Sequence, residues 1–463
     1  MSRVYIALGS NLGNRSGQLE AAVRTMASAL QVIRQSPVYE TEPWGYSEQP
    51  KFLNQVVEAQ TDLPPAELLH TLKAIERRLG RQPSFHYGPR EIDLDILFYD
   101  DLQVQTEELT IPHPQLARRA FVLVPLADLA PDLRHPVLGK TVGELLGEVD
   151  SAGVARYLAG QNEELARRLL PWGTRTFVMG ILNVTPDSFS GDGLLGRFDP
   201  LAAALEQAQQ FLAGGADVLD LGGESTRPGA QPISAEEELA RVVPVLRALR
   251  SAGINALISV DTYKASVAGA ALDEGADWIN DVWALRADPR MAAVVAAAHV
   301  PVVLMHNRSQ PQSIELRERV GASYAGAHYA NLIEDVNREL LQSVGLAFAA
   351  GIPQEAILLD PGLGFGKTLS QNLELIDRIG EIRALGYPVL IGPSRKSFIG
   401  RVLDSPAEER LEGTAAAVAL GAARGADVVR VHDLPAMARV ARMADAIARP
   451  AVRETLEKAK AGS

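Results

Sequence analysis

The chain has 463 residues, of which 47% are hydrophobic and 22% charged, and this balance excludes a wholly disordered protein. It contains no cysteine, which excludes disulfide frameworks, thiolate zinc sites, iron–sulfur clusters and cysteine nucleophiles. The formal net charge of −12 argues against nonspecific nucleic-acid binding, so any anionic ligand must be held by local basic groups. The length allows two or three domains.

Residues 1–140 predict a domain that mixes α and β structure. Apolar spacing indicates strands at 4–8, 32–41, 52–61 and 91–99, and helices at 18–30 and 64–79. The order β-α-β-β-α-β is that of a ferredoxin-like split βαβ sheet. Residues 141–173 carry weaker signals and are interpreted as a linker, with short helices expected near Leu145, Tyr157 and Leu165.

From residue 174 to the end at 463 the pattern changes to short apolar runs separated by helix-like stretches. The runs cover 177–182, 217–221, 256–260, 278–282, 301–305, 356–359, 388–391 and 427–431. Eight βα units in about 290 residues predict a (β/α)8 TIM barrel. An open doubly wound parallel sheet is the alternative.

Polar residues follow every predicted barrel strand, and in such barrels the chemistry lies at the carboxyl ends of the strands. The residues include Asn183, Thr226, Arg227, Asp261, Asn280, His306, Asp360, Lys396, Arg430 and His432. Any single one could be a cap or a turn former. Together on one rim they predict a site for a hydrogen-bonding heterocycle, with cationic side chains for an anionic group.

Two glycine-rich segments need an interpretation. Residues 362–368 read Gly-Leu-Gly-Phe-Gly-Lys-Thr, like the end of a P-loop, but Pro361 occupies the first required glycine position. The segment is therefore interpreted as a glycine loop after the sixth strand. Residues 187–199 are rich in Gly, Ser and Asp and predict a mobile loop over the rim.

Asp93 and Asp95 lie on a predicted strand, where residues two apart share a face. Two adjacent carboxylates repel unless a cation or a shared proton compensates them, although a solvent-facing sheet edge is the alternative. Arg90, His113 and Arg119 are near in sequence and predict an anion cluster around magnesium, suited to a nucleoside triphosphate. Nearby aromatic and amide side chains could hold a flat polar ring.

These segments carry two family resemblances. Residues 3–140 resemble 6-hydroxymethyl-dihydropterin pyrophosphokinase over the segments 7–13, 39–45, 52–54, 88–97, 111–114 and 119–121. Residues 176–449 resemble dihydropteroate synthase over the segments 180–190, 222–229, 259–262, 279–282, 360–367, 394–397 and 430–433. The two activities are consecutive steps of folate synthesis, so the resemblances imply a bifunctional enzyme. It would transfer pyrophosphate from ATP to 6-hydroxymethyl-7,8-dihydropterin, releasing AMP, and then condense the diphosphate with p-aminobenzoate to 7,8-dihydropteroate.

The resemblances also imply roles for individual residues. In the kinase region, Asp93 and Asp95 would hold magnesium, and ATP would be bound by Arg81, Arg90, His113 and Arg119. The pterin there would be framed by Thr41, Pro43, Trp44, Phe52, Asn54 and Phe121. In the synthase region, the pterin would be bound by Asp261, Asn280, Met305, Asp360 and Lys396, and the diphosphate by Asn183, Arg227, Arg430 and His432, with magnesium near Asn183. The p-aminobenzoate would lie near Thr226, Pro228, Phe365, Ser394 and Arg395. The residues expected to carry catalysis are Asp93, Asp95, Arg90, Lys396 and Arg430.

Further expectations concern departures, partners and alternatives. After Gly80 and Arg81 the sequence lacks the second basic residue common in this kinase family, which bears on how the loop holds ATP. We expect small-molecule substrates, a homodimer through the barrel, no membrane segment and a cytoplasmic location, since the chain opens directly into a strand-like segment. The alternatives are a pterin-dependent methyltransferase barrel and a non-catalytic scaffold role for one domain.

Overall fold

A computed structural model describes residues 1–44, 49–81, 88–157, 163–185, 199–309, 313–317, 319–450 and 452–453. The loop expected to be mobile, apart from Asp199, and the segment directly after Arg81 lie outside the described residues. The chain divides into two compact units. The first is Met1–Glu163 with Val344–Gln354, and the second is Glu164–Ser343 with Glu355–Ser463.

The first unit contains one main antiparallel sheet. Its elements in chain order are β1 (Ser2–Ser10), α1 (Arg15–Ala27), β2 (Gln31–Gln35), β3 (Tyr39–Thr41), β4 (Phe52–Thr61), α2 (Pro65–Arg78), β5 (Asp93–Tyr99), β6 (Val104–Gln105), β7 (Thr110–Ile111), α3 (Ala120–Leu129), α4 (Val142–Leu146) and β8 (Val154–Arg156). The strand order is β5-β1-β4-β3-β8, and β2 also pairs with β4. This arrangement confirms the ferredoxin-like split βαβ fold.

Local sequence explains most of these elements, and the structure differs from the prediction at two places. Helix α2 has proline in its first turn and buries a stripe formed by Leu68, Leu72 and Ile75. The single strand predicted over 32–41 is two strands, because Pro37 has no N–H to donate to a ladder. Strand β8, in the stretch expected to be a linker, pairs with β3 and was not predicted, and it lies directly before Tyr157, near which a short helix was expected.

The second unit is built from parallel strands and helices in alternation, and two of its helices, 163–168 and 332–350, include residues that are grouped with the first unit. Its elements are α5 (Glu163–Arg168), β9 (Phe177–Asn183), α6 (Pro200–Ala213), β10 (Val218–Gly222), α7 (Ala235–Ser251), β11 (Leu257–Asp261), α8 (Ala265–Asp273), β12 (Trp278–Asp281), α9 (Met291–Ala298), β13 (Val302–Met305), β14 (Ile314–Arg317), β15 (Gly321–Tyr324), α10 (Leu332–Ala350), β16 (Ile357–Asp360), α11 (Leu369–Asp377), α12 (Ile379–Arg383), β17 (Leu390–Ile391), α13 (Ser397–Leu403), α14 (Leu411–Ala423), β18 (Val428–Val431) and α15 (Leu434–Ala448).

Eight of these strands close into a barrel. Their order is β16-β13-β12-β11-β10-β9-β18-β17, and a parallel bridge between Leu359 and Val389 joins the two ends. The predicted (β/α)8 barrel is therefore confirmed, and the open-sheet alternative is wrong. The short antiparallel hairpin β14–β15 after β13 was not predicted. Within the described part of the chain, no helix combines the length and apolar character needed to cross a membrane.

The barrel interior changes from apolar to polar along its strands. One buried cluster contains Phe177, Met179, Val218, Trp278, Val303, Leu358, Leu390 and Val428. Two residues further along, on the same face of their strands, stand Asp220, Asn280, Met305, Asp360 and Arg430. Burial of the apolar layer stabilises the barrel, while the next layer brings polar groups to its carboxyl-terminal end.

Candidate active sites

The first candidate site is a cleft on one face of the sheet of the first unit. The strand register places Gly9 of β1 between Asn54 of β4 and Asp93 of β5. A Cβ atom on Gly9 would lie 3.3 Å from Asn54 Oδ1, so glycine leaves room between the two polar side chains. Asp95 pairs with Ala7 in the same register and also lines the cleft. The sheet thus brings together the aspartates and the amide named in the sequence analysis.

Asp93 is held by two arginines. Arg90 Nη1 donates to Asp93 Oδ2 at 2.6 Å, and Arg81 Nη1 donates to Asp93 Oδ1 at 2.6 Å. Burial by itself would raise the pKa of the Asp93 carboxyl, but the charges of Arg90 and Arg81 outweigh it, and the pKa lies below its ordinary value. Asp93 is therefore ionised at neutral pH.

Asp95 has a different electrostatic environment. Lys73 Nζ lies 3.8 Å from Asp95 Oδ1. Burial, and then the charge of Asp93, raise the pKa of the Asp95 carboxyl. A cation placed between the two carboxylates would reverse this shift, because it favours the ionised form. Burial lowers the pKa of His113, which also lines the cleft, so this imidazole is neutral at pH 7.

Aromatic rings form the other side of the cleft. The Arg119 guanidinium carbon lies 4.8 Å from the centre of the Trp44 ring and 5.6 Å from that of Phe121. Arg119 Nε is buried without a hydrogen-bond partner in the described structure. Phe52 also lines the cleft. Cation–π contacts of this kind are worth about 0.5–2 kcal/mol each and fix the arginine over the cleft.

Of the remaining predicted residues of this site, some line the cleft and others do not. Asn54 Nδ2 donates to Thr41 Oγ1 at 2.8 Å, and both side chains line the cleft. Pro43 is half-buried and does not contribute to the lining. Arg81 reaches the site through its ion pair with Asp93.

The second candidate site lies at the carboxyl-terminal end of the barrel strands and centres on Arg430. Its Nε donates to Asp220 Oδ2 at 2.6 Å and its Nη2 to Asp261 Oδ2 at 2.8 Å. Asn280 Nδ2 donates to the same Asp220 oxygen at 3.3 Å. Removing one member of such a buried charge pair costs about 3–5 kcal/mol, so these side chains hold each other in place.

Burial sets the protonation of this network. It raises the pKa of Asp261 to about 7, although Arg430 opposes the shift. Burial also raises the pKa of Asp360 and lowers that of Lys396 to about 8. The attraction between these two opposite charges acts against both shifts but is smaller than the effect of burial. Proton gain and loss near neutral pH is a property of groups that bind and release substrate protons.

Lys396 lies beside the glycine loop that follows β16. Its Nζ donates to the Leu363 carbonyl oxygen and lies 4.8 Å from the centre of the Phe365 ring. Strand pairing places Met305 opposite Asp360 on the neighbouring strand. Lys396 thus adjoins Phe365, and Met305 adjoins Asp360.

Two further predicted groups lie at the same strand ends. Gly222 pairs with Asn183 on one side and with Asp261 on the other, so Asn183 adjoins the network. His432 Nδ1 is 3.0 Å from Ser394 Oγ, and its backbone N–H donates to that oxygen at 3.1 Å. An imidazole, an amide and the Arg430 guanidinium are groups that hydrogen-bond phosphate oxygens.

The loops around this rim carry the other predicted residues. The Thr226 carbonyl oxygen accepts a hydrogen bond from Tyr324 Oη at 3.0 Å, and the Tyr324 ring lies 6.0 Å from the Phe365 ring. Arg227 and Pro228 follow Thr226 in the loop after β10. Arg395 adopts φ of +55° and its Nε donates to Asp433 Oδ2 at 2.9 Å, so its guanidinium is tied to the start of α15.

Among the described residues, sequence reasoning missed several charged side chains of these sites, of which Lys73, Glu76 and Asp220 have the clearest contacts. Lys73 and Glu76 of α2 reach the aspartate pair: Lys73 Nζ donates to Glu76 Oε1 at 2.7 Å, and Arg81 Nη1 lies 2.6 Å from that oxygen. Asp220, fully buried, joins Arg430 to Asn280. Two of them could have been predicted from their spacing. Asp220 lies two residues after Val218 and therefore shares its inward face, and Glu76 continues the buried stripe of α2.

Comparison with known families matches both units. The family described as "Pterin binding enzyme" matches residues 179–432, which is more than half of the chain. The family described as "7,8-dihydro-6-hydroxymethylpterin-pyrophosphokinase (HPPK)" matches residues 5–131.

Curated relatives match nearly the whole chain. The mitochondrial folate synthesis bifunctional protein of Pisum sativum is 42% identical over 444 residues, covering 90% of this chain and 83% of the relative. The folic acid synthesis protein fol1 of Schizosaccharomyces pombe is 39% identical, covering 89% of this chain. The chain spans 55% of the length of that relative and 56% of a similar protein from Pneumocystis carinii.

Solved structures match the barrel. A dihydropteroate synthase from Clostridium difficile, crystallised with pteroic acid, is 44% identical with a TM-score of 0.54 and covers 61% of this chain and 100% of its own. A dihydropteroate synthase from Xanthomonas albilineans, crystallised with 4-aminobenzoic acid, is 41% identical with a TM-score of 0.53 and covers 59% of this chain and 93% of its own.

Proposed function

The chain belongs to the pterin-binding enzyme family and to the bifunctional folate synthesis proteins, and from this premise we propose that it catalyses two consecutive steps of folate synthesis. The first transfers pyrophosphate from ATP to 6-hydroxymethyl-7,8-dihydropterin and releases AMP. The second joins the resulting diphosphate to p-aminobenzoate and gives 7,8-dihydropteroate and diphosphate. The observation that carries the proposal is that one chain holds both a two-aspartate cleft and a charged barrel rim.

Asp93 and Asp95 would hold magnesium in the kinase step. Their fit to a divalent cation is supported by the raised pKa of Asp95, which burial and the charge of Asp93 cause. Magnesium prefers one or two protein carboxylates and completes its shell with water and phosphate oxygens, whose charge it neutralises. We therefore expect EDTA to abolish AMP release and added Mg²⁺ to restore it, as measured by chromatography of the nucleotides. AMP release that persists in EDTA would contradict this role.

The other residues of the cleft would position the two substrates. Arg90 and Arg119 would bind phosphate oxygens as charged donors, and neutral His113 would donate or accept one hydrogen bond. The Phe52 and Phe121 rings would stack on the pterin, which Asn54 would recognise through its amide. Catalysis by this chain is then mainly positioning and charge neutralisation.

The barrel rim would catalyse the second step. Asp261, Asn280, Asp360 and Lys396 would hydrogen-bond the edge of the pterin, over Met305. The C–O bond from the methylene carbon to the diphosphate breaks, a C–N bond to the aromatic amine forms, and the amine loses a proton. The main contribution of the protein would be electrostatic stabilisation of the separating charges.

The leaving diphosphate and the aromatic amine would occupy separate parts of this rim. Arg430 has five N–H donors and uses two of them on aspartates, which leaves donors for the diphosphate. Asn183, Arg227 and His432 would assist, with magnesium near Asn183. The p-aminobenzoate would lie near Phe365, among a set completed by Thr226, Pro228, Ser394 and Arg395.

Domain limits, assembly and location are further parts of the proposal. We propose a kinase domain over 1–140, a synthase domain over 174–463, a connecting stretch over 141–173 that adds α4 and β8 to the first unit, and a homodimer formed through the barrel. Light scattering of the purified chain tests the dimer. A cytoplasmic location is compatible with a chain that lacks cysteine, and microscopy of a tagged full-length chain tests it.

Product analysis tests the two activities. The purified chain is incubated with hydroxymethyl-dihydropterin, ATP, Mg²⁺ and p-aminobenzoate, and we expect AMP and dihydropteroate by mass spectrometry. A corrinoid methyl acceptor should remain unmethylated, which separates the proposal from a pterin-dependent methyltransferase. A folded sample that makes neither product would overturn the proposal.

Two variants then test which site catalyses which step. Asp95→Ala should abolish dihydropteroate formation from the alcohol and ATP but leave the reaction from the preformed diphosphate intact. Lys396→Ala should impair both routes, because both pass through the barrel. Identical behaviour of the two variants would contradict the assignment and favour a non-catalytic role for one domain.

A further inference from the structure

Lys396 is contacted by the glycine loop Gly362–Lys367, a segment of the barrel rim that is separate in sequence from the loop that carries Lys396. The Leu363 carbonyl oxygen accepts a hydrogen bond from Lys396 Nζ, and the Phe365 ring lies against the same ammonium group. The position of Lys396 therefore depends on the conformation of this loop. The question is what fixes a loop that contains three glycines.

Lys367 at the end of the loop is almost fully buried, with 3% of its surface exposed. Its Nζ lies 3.1 Å from His306 Nδ1 and donates to the Phe365 carbonyl oxygen at 3.1 Å. The ammonium group thus bonds back onto the loop that carries it, and onto His306, which directly follows β13. This placement differs from that of a P-loop lysine, which points to bound phosphates.

His306 can accept a hydrogen bond from Lys367 at Nδ1 because its other ring nitrogen, Nε2, is paired with a carboxylate. His306 Nε2 lies 3.0 Å from Glu339 Oε2 on α10, so Nε2 carries the proton and Nδ1 is free to accept from Lys367. Burial and the nearby Lys367 charge lower the pKa of His306 to about 4, which keeps the imidazole neutral and able to accept. Glu339 in turn accepts from Arg308 Nε at 3.0 Å.

The backbone of the loop fits closely against the same segment of β13 and its following residues. A Cβ atom at Gly362 would lie 1.9 Å from the His306 carbonyl oxygen, and one at Gly366 would lie 2.6 Å from the Arg308 carbonyl carbon. Both glycines have positive φ, of +69° and +67°. The loop is therefore pressed onto residues 306–308 and bonded to them by Lys367.

We propose that Lys367, with His306 and Glu339, is a positioning residue for dihydropteroate synthesis, which fixes the glycine loop so that Leu363 and Phe365 hold Lys396 in the site. The proposal rests on the synthase activity proposed above. Lys367 touches neither substrate and acts through Phe365 and Leu363. Lys367, the residue that makes this segment resemble a P-loop, thus has a positioning role in the barrel rim.

The test compares Lys367→Met with the matched surface variant Arg247→Met, whose side chain is 62% exposed on α7. Since misplacement of a reacting group by about 1 Å costs about 100-fold in rate, we expect Lys367→Met to lower kcat/KM for the pterin diphosphate by about 10- to 100-fold. Arg247→Met should change it less than twofold. AMP release by the first unit should be unchanged in both variants.

A double variant separates positioning from a merely structural role. If Lys367 acts through Phe365, then adding Lys367→Met to Phe365→Leu should lower kcat/KM by much less than Lys367→Met does alone. Glu339→Gln, which preserves shape, supplies a second probe in case Lys367→Met does not fold, and it should show the same dependence on Phe365.

The outcomes distinguish this inference from the proposed function. A wild-type chain that makes no dihydropteroate would overturn the proposed function, and deuterium uptake at residues 362–367 would then still test whether Lys367→Met loosens the loop. If the wild-type chain is active, two results would overturn the positioning role alone. One is a Lys367→Met variant as active as the wild type, and the other is a double variant in which the effects of Lys367→Met and Phe365→Leu on kcat/KM multiply fully.

Discussion

Asp93 and Asp95 stand two residues apart on one strand, yet their pKa values shift in opposite directions. Burial acts on both, but Arg90 and Arg81 reach Asp93 and lower its pKa, whereas the charge of Asp93 adds to the shift of Asp95. Lys367 and Lys396 instead share the direction of their pKa shift and differ in their contacts. Burial lowers the pKa of both, but Lys367 Nζ contacts His306 and its own loop, whereas Lys396 Nζ contacts the Leu363 carbonyl oxygen and the Phe365 ring. At the scale of single residues, neighbours therefore decide the chemistry of a given side chain.

Asp261 gives a prediction in pH dependence. Burial raises its pKa to about 7, so its ionised fraction increases as pH rises through that value. Because the carboxylate accepts a hydrogen bond from Arg430 and would accept others from the pterin, we expect kcat/KM for the pterin diphosphate to rise between pH 6 and 8. Asp261→Asn should lower kcat/KM and remove this rise. A pH profile that is the same in the variant and the wild type would contradict the assignment.

At the scale of elements, one buried arginine ties several loops together. Arg410, with 3% of its surface exposed, precedes α14. Its Nη1 donates to the Arg395 carbonyl oxygen at 2.8 Å, its Nη2 to that of Val320 at 2.7 Å and its Nε to that of Ser405 at 3.1 Å. It thereby fixes the residue of positive φ at Arg395 and the turn of the β14–β15 hairpin.

Removing this arginine should destabilise the barrel. Arg410→Ala leaves three carbonyl oxygens without their donor, and each costs about 1–3 kcal/mol where water cannot replace it. We expect the free energy of unfolding of the second unit to fall by about 2–4 kcal/mol, as measured by chemical denaturation. Arg424→Ala, which breaks only the exposed ion pair with Asp377, should cost about 0.5 kcal/mol or less and is the control. Equal effects of the two variants would show that Arg410 is not a tether.

At the scale of the whole molecule, each unit has its own core and its own site. The first unit buries Tyr5, Val56 and Leu97 under α3, whereas the second fills its barrel with a separate set of apolar side chains. The aspartate cleft and the barrel rim draw on residues of one unit each. Each proposed activity would therefore depend on the fold of its own unit.

This independence predicts that two inactive chains can complement each other. Asp95→Ala should lack the first proposed activity and Lys396→Ala should be impaired in the second, but the diphosphate that would link them is a small molecule free to diffuse. An equal mixture of the two variants should therefore form dihydropteroate from the alcohol, ATP and p-aminobenzoate, after a lag seen in a time course. Each variant alone is the control. A mixture that forms no product would mean that the intermediate must be made and used by the same chain.

Much of the fold could be predicted from the sequence because the signals are local. Alternating short apolar runs and helical stretches predict the barrel, and polar residues after each run predict its functional rim. Strand β8 and the β14–β15 hairpin escaped prediction because their segments are short and partly exposed, and β8 depends on pairing with the distant strand β3. The break between β2 and β3 could have been read from Pro37.

The sequence by itself determined the order of the elements, the family of each region and the residue types available at each strand end. Only the tertiary structure decided which of these side chains meet, because ion pairs such as Arg430 with Asp220 and Asp261 join strands that are far apart in the chain. It also decided their protonation, since a pKa depends on burial and on neighbouring charges rather than on local sequence. For the same reason the sequence showed a P-loop-like lysine, and only the folded barrel showed Lys367 buried against His306.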